Sequence, residues 1–236
     1  MARPVLLLVG GVACDETLWS DQCSALADIA ECRPVIPDAE TIDENAETLL
    51  AAAPDHFSIV GHSMGGYVAL AVQRQAPERV ERLALICSGA GHELPEQRSA
   101  RQALIDLVRE RGYPAMLRKL VPAMVGPGTG RDAVLMDRLE AMVRRAGGER
   151  FIRQQLAVMR RPDARAGLAQ LRVPVLVIAG RDDRIVPAEN GAAAAAAISG
   201  AEFRIIEDCG HIAPAEQPAR ITDLLRSWLT RAGTGQ

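Results

Sequence analysis

Five residues, Gly61-His62-Ser63-Met64-Gly65, stand between the apolar run Phe57-Ser58-Ile59-Val60 and the segment Gly66-Tyr67-Val68-Ala69-Leu70-Ala71-Val72, which meets no proline before Pro77. The order reads as strand, sharp corner and helix, and few chain paths accommodate it. A turn this tight strains the backbone at Ser63, and side chains at 61 or 65 would collide with neighbouring backbone. The serine hydroxyl is then raised at the tip of a sheet, at a helix N-terminus whose dipole favours developing negative charge. An ordinary strand-to-helix turn with Ser63 as a helix cap is the plainer alternative.

The rest of the chain alternates strand and helix around that corner. Residues 5–9 are a continuous apolar run, as expected of a strand buried on both faces of a parallel sheet. The pattern predicts a helix over 15–29, a short strand at Val35-Ile36, a helix over 43–53 closed by Pro54, and a buried strand over 83–87. Alternation resumes with a strand over 173–179, a helix through the alanines 192–197, a strand over 202–206 and a last helix over 218–230. Between 89 and 171 it stops. Four helical patterns take its place, separated by Gly112, Gly126-Pro127-Gly128 and Gly147-Gly148. The expected architecture is therefore α/β: a doubly wound sheet of about six parallel strands, with residues 1–90 and 171–236 as the core domain and 91–170 as an inserted all-helical cap.

Charge and cysteine content narrow the function classes. The 236 residues carry a net charge of −3, so no global field recruits nucleic acid or an anionic membrane. The cysteines Cys14, Cys23, Cys32, Cys87 and Cys209 are dispersed without C-x-x-C spacing, which points to reduced thiols and a cytoplasmic protein. The four histidines lack H-x-x-x-H spacing, and no metal is expected. An apolar run ahead of Cys14 resembles a lipoprotein leader, but cleavage there would delete a strand that the fold needs. No stretch approaches the ~20 apolar residues of a membrane span.

A serine hydroxyl is a poor nucleophile near neutral pH; it requires a base, and the base an orienting partner. His211, in Cys209-Gly210-His211 after the last strand, is the candidate base. Asp183, in Gly180-Arg181-Asp182-Asp183 after the preceding strand, is the candidate partner. Taken singly, a Gly-His pair also reads as structural, and Asp182 or Asp183 as a cap before Pro187. Together they share with Ser63 the carboxyl rim of a parallel sheet, where ligands of such sheets bind. His62 is expected to pack, and His56 and His92 to lie on the surface. Backbone N–H groups of Met64 and of Val12, in the loop Gly10-Gly11-Val12-Ala13, are the expected donors to an oxyanion.

The G-x-S-x-G corner, Gly180-Arg181-Asp182-Asp183 and Gly210-His211 resemble the nucleophile, acid and base motifs of the α/β-hydrolase superfamily. The resemblance covers essentially the whole chain and is nearest the compact carboxylesterase-like members with a helical cap, including enol-lactone hydrolases. Two departures stand out: Gly10-Gly11 replaces the usual His-Gly before the oxyanion donor, and the two N-terminal antiparallel strands of many members have no counterpart. The resemblance implies a small or medium ester substrate, Ser63, Asp183 and His211 as catalytic residues, and neither metal nor organic cofactor. Thioesterase, acyltransferase, enol-lactone or C–C hydrolase chemistry on the same triad is the alternative, and a ligand-binding receptor a further one. Trp19 and Tyr67 are the expected lining of the acyl pocket. From His92 to Arg165 there are 15 basic residues, 14 of them Arg and the other Lys119, against 9 acidic. This excess reads either as solvated helix faces or as attraction for an acidic substrate or an acidic carrier protein.

Overall fold

The computed structural model describes residues 3–231. Six parallel strands form one sheet: β1 (Val5–Val9), β2 (Glu31–Val35), β3 (Phe57–His62), β4 (Val80–Ile86), β5 (Val175–Gly180) and β6 (Glu202–Ile206). Their order across the sheet is β2-β1-β3-β4-β5-β6, so the chain starts inside, steps out to β2 and then crosses to the other edge. Register places Val9 beside Gly61 and His62 beside Ile86, which brings the carboxyl ends of the central strands level. The flanking helices are α1 (Ser20–Ala25), α2 (Ile42–Ala52), α3 (Met64–Gln75), α8 (Ala188–Ala196), α9 (Ala213–Glu216) and α10 (Pro218–Thr230). Strands β1 and β5 read as unbroken apolar runs, and β3 is buried along its whole length, because both their faces are covered; the core divides into one layer on each side of the sheet.

Between β4 and β5 the chain folds into α4 (Pro95–Arg111), α5 (Tyr113–Met124), α6 (Ala133–Ala146) and α7 (Gly148–Met159). Each helix is amphipathic, and Leu135, Leu139, Met142 and Val143 of α6 join Met116, Leu117 and Val121 of α5 in one buried cluster. Part of the basic excess of this segment pairs with the acidic remainder of the chain. Arg145 pairs with Asp15 at 2.7 Å, Arg153 with Asp38 at 2.7 Å, Arg138 with Asp21 at 3.2 Å and Arg160 with Glu40 at 3.5 Å. Each exposed pair is worth only ~0–1 kcal/mol. Among the described residues no helix is long and apolar enough to cross a membrane.

Two expected elements differ in detail, and one helix is additional. The predicted helix over 15–29 is a 3-10 turn, Glu16–Trp19, followed by the short α1. The predicted strand at Val35-Ile36 is β2, which begins at Glu31 and carries Pro34, tolerated because β2 is an edge strand. Helix α9 was not expected, since four residues carry too little periodicity to read.

Candidate active site

Strand β3 delivers the chain to the corner, and α3 leaves from it at Met64. At Ser63 the backbone takes φ 52° and ψ −118°, a conformation rare for a residue with a side chain and costing about 1–3 kcal/mol. The surroundings enforce it. A Cβ on Gly61 would lie 2.2 Å from the Gly65 carbonyl oxygen, and one on Gly65 would lie 2.3 Å from that of Val9. The Ser63 N–H donates to the Ile86 carbonyl (2.9 Å), and the Ser88 hydroxyl donates to the Ser63 carbonyl (2.8 Å). Ser63 makes no side-chain cap to α3. Its Oγ lies instead 2.9 Å from His211 Nε2.

His211 follows β6 and is held from three sides. Its N–H donates to the Met124 carbonyl at 2.8 Å, an acceptor left free at the end of α5. The Gly210 N–H donates to the Glu216 carboxylate, which also takes the Gly126 N–H at 2.8 Å. The His211 carbonyl accepts from His62 Nε2 at 2.8 Å. Burial and the neighbouring His211 push the His62 imidazole down to about 3, so the ring is neutral and its Nε2 carries the donated hydrogen. His62 therefore packs, as expected, but it also fixes the backbone of the imidazole above it; the rings lie 5.1 Å apart.

Asp183 uses its two oxygens for two purposes. Oδ1 accepts from the N–H groups of Ile185 (2.8 Å) and Val186 (2.9 Å), the capping role read as its plainer alternative. Oδ2 lies 2.7 Å from His211 Nδ1. Burial raises the Asp183 carboxyl, but the His211 imidazole and these two amides outweigh it and hold it below the ordinary carboxylate value. Ser63, His211 and Asp183 thus form one hydrogen-bonded row across three loops.

The loop after β1 supplies Val12, which lines the same cavity as Ser63, Met64 and His211. Among the described residues neither the Val12 nor the Met64 N–H donates to a protein acceptor outside regular secondary structure, and Met64, as the first residue of α3, has no preceding turn to bond. Ala13 beside Val12 has φ 60°. Its N–H donates to Gln154 Oε1 (2.9 Å), while Gln154 Nε2 donates to the Pro37 carbonyl (2.7 Å). Gln154 belongs to α7 and is fully buried, so the inserted helices clamp this loop. Sequence reading missed Gln154; its signal was a polar pair, Gln154-Gln155, set among the apolar positions of α7.

The cavity measures about 190 Å³, below the ~300–1,000 Å³ of sites for drug-sized ligands. Tyr67 lines it, with the Arg161 guanidinium 4.7 Å from its ring centre. Trp19 does not: it is fully buried, in the core cluster that holds Leu6, Leu8 and Leu18. The nearest approach to a metal site among the described residues is Cys87, Asp183 and His211, whose ligand atoms lie within 4.8 Å of one another. Asp183 and His211 already bond each other there. Burial, with Asp183 nearby, pushes the Cys87 thiol well up, away from the thiolate that a metal needs.

A profile of the alpha/beta hydrolase fold family matches residues 37–218. The 2-hydroxy-6-oxononadienedioate/2-hydroxy-6-oxononatrienedioate hydrolase of Paraburkholderia phymatum is 32% identical over 176 residues, or 72% of this chain and 61% of that protein. The chain thus spans less than two thirds of that relative's length. The protein of the same description from Paraburkholderia xenovorans is 30% identical over 205 residues, 83% of this chain and 71% of that one. Among solved structures, a thermophilic esterase from Thermogutta terrifontis, in a malate-bound form, matches with a TM-score of 0.85 at 30% identity over 96% of this chain and 89% of that one. The enol-lactonase of Burkholderia xenovorans matches with a TM-score of 0.87 over 98% and 93%, at 23% identity, which speaks for the fold alone.

Proposed function

The chain belongs to the alpha/beta hydrolase fold family, and from that premise we propose that it is a serine hydrolase cleaving the carboxylic ester bond of a small substrate through an acyl-enzyme. The observation that carries this reading is the row Ser63 Oγ–His211 Nε2 (2.9 Å) and His211 Nδ1–Asp183 Oδ2 (2.7 Å). Ser63 Oγ attacks the ester carbonyl carbon while its proton passes to His211 Nε2. Asp183 stays ionised, orients the imidazole and stabilises its positive charge. The tetrahedral oxyanion accepts from the Met64 and Val12 N–H groups. Collapse breaks the bond to the leaving alkoxide, which takes the proton from His211. Water then attacks the acyl-enzyme, giving its proton to His211, and Ser63 recovers a proton as the acid departs.

We read residues 91–170 as a substrate-selecting cap over the core of 1–90 and 171–236, a reading supported by the α4, α5 and α7 residues that line the cavity. Free thiols at all five cysteines support a reducing, cytoplasmic setting. C–C bond hydrolysis by the same residues is the second reading, favoured by the relatives that are 30–32% identical and described as 2-hydroxy-6-oxononadienedioate hydrolases. The test is turnover of 4-nitrophenyl esters of graded chain length beside such a dienedioate. Short esters should be hydrolysed best, and Ser63→Ala should lose at least about a thousandfold in kcat. Turnover of the dienedioate alone would move the assignment to C–C cleavage, and full ester turnover by Ser63→Ala would end it.

A further inference from the structure

Most of the cavity beside Ser63 is apolar, lined by side chains such as Leu104, Leu120, Met124 and Val158. Two cations interrupt that lining, Arg101 of α4 and Lys119 of α5, and no carboxylate lines it among the described residues. Behind them lies Glu93, whose side chain is only 2% exposed. Two guanidinium groups meet this one carboxylate. Arg161 pairs with it and donates as well to the carbonyls of Gly91 (2.9 Å), His92 (3.1 Å) and Val158 (3.0 Å). Arg101 donates from Nε to Glu93 (2.8 Å) and from Nη1 to Gln155 Oε1 (2.8 Å).

Arg101 Nη2 is thereby left with no protein acceptor among the described residues, as are Gln155 Nε2 and Lys119 Nζ. The Glu93 cluster alone carries one surplus positive charge, and Lys119 adds a second. Lys119 is exposed and keeps its hydration, whereas the Arg101 side chain is only 20% exposed; an anion that completes the hydrogen bonds of this partly buried guanidinium offsets its desolvation. Glu93 and Gln155 fix the guanidinium plane through Nε and Nη1, so Nη2 is held in place to donate to a carboxylate.

We propose that Arg101, Gln155 and Lys119 form an anion subsite in the Ser63 cavity, and that the substrate carries a carboxylate joined by a short chain to the carbonyl that Ser63 attacks. This rests on the serine-hydrolase reading for the position of the reacting carbonyl, and the small cavity limits the chain between them. The inserted helices then select for acidic substrates through these two cations, while Arg138, Arg145, Arg150, Arg153 and Arg160 pair with core carboxylates.

The test measures binding, which needs no turnover. Titration calorimetry compares glutarate with its neutral diamide, glutaramide, on the wild type, Lys119→Met and Arg101→Lys; the last keeps a charge for Glu93 but loses the Nη2 donor. Glutarate should bind the wild type at least about tenfold more tightly than glutaramide. It should slow labelling of Ser63 by a fluorophosphonate, and each variant should narrow the preference severalfold. Thermal melting establishes that the variants are folded; Lys119 is exposed, so its variant decides the matter even if Arg101→Lys unfolds. Equal binding of glutarate and glutaramide, or an unchanged preference in Lys119→Met, overturns the subsite. Failure of Ser63 to react with the fluorophosphonate overturns the hydrolase reading instead, and the dissociation constants still decide the subsite.

Discussion

Replacing Gln154 by leucine separates the clamp on the Gly10–Ala13 loop from the bulk of the α7 side chain. Leucine nearly preserves the volume, so the cavity contribution of a truncation is avoided. What is lost is the pair of bonds to the Ala13 N–H (2.9 Å) and the Pro37 carbonyl (2.7 Å), both made by a side chain with no exposure. Each buried backbone group left unpaired costs about 1–3 kcal/mol, so the variant should lose about 2–6 kcal/mol of unfolding free energy. The second effect is on rate. Ala13, held at φ 60°, positions the neighbouring Val12 N–H. Removing an oxyanion donor outright costs about a hundredfold to a thousandfold in kcat; loosening one should cost about tenfold to a hundredfold, with KM little changed. Urea unfolding reads the first effect, and 4-nitrophenyl acetate turnover, measured well below the melting temperature, the second. A destabilised variant that retained wild-type kcat would show that the loop holds its geometry without α7.

Gly65→Ala should be more damaging to the fold than to any single contact. Its Cβ would stand 2.3 Å from the Val9 carbonyl oxygen, which belongs to an interior strand and cannot swing aside; a loss of at least about 3 kcal/mol is expected, and unfolding indistinguishable from wild type would refute the close-approach argument. Acid should destabilise the protein in two stages. His62 takes up its proton near 6.5 when unfolded but only at about 3 when folded, so its contribution is complete above pH 6.5 and is lost as pH falls toward 3. Asp183, held below the ordinary carboxylate value of 3.8, adds stability that persists above that value and is lost at more acid pH. Stability of His62→Gln should therefore depend less steeply on pH between 6.5 and 4 than that of the wild type; parallel curves would count against a buried neutral imidazole.

Much of this fold is legible in the sequence, for identifiable reasons. Strands β1 and β6 and helix α10 fall on the predicted residues because apolar runs or prolines mark their ends. Strand β2 lies at the sheet edge with none of its residues buried, so the predicted segment falls several residues late. Ser63, Asp183 and His211 were readable because each lies just beyond a strand. The groups that hold them were not. His62 to the His211 carbonyl and Gln154 to Ala13 join residues more than a hundred positions apart, and neither contact leaves a local pattern. Trp19 shows the opposite error: closeness in sequence to the rim said nothing of the direction of its side chain, which is buried in the core.

The most direct test of the account is the identity and reactivity of one hydroxyl. Mass spectrometry of the protein after treatment with a fluorophosphonate should place the adduct on Ser63, and the labelling rate should fall by at least about a hundredfold in His211→Ala, which removes the base. Modification at another residue, or labelling of Ser63 at the wild-type rate in His211→Ala, would contradict it.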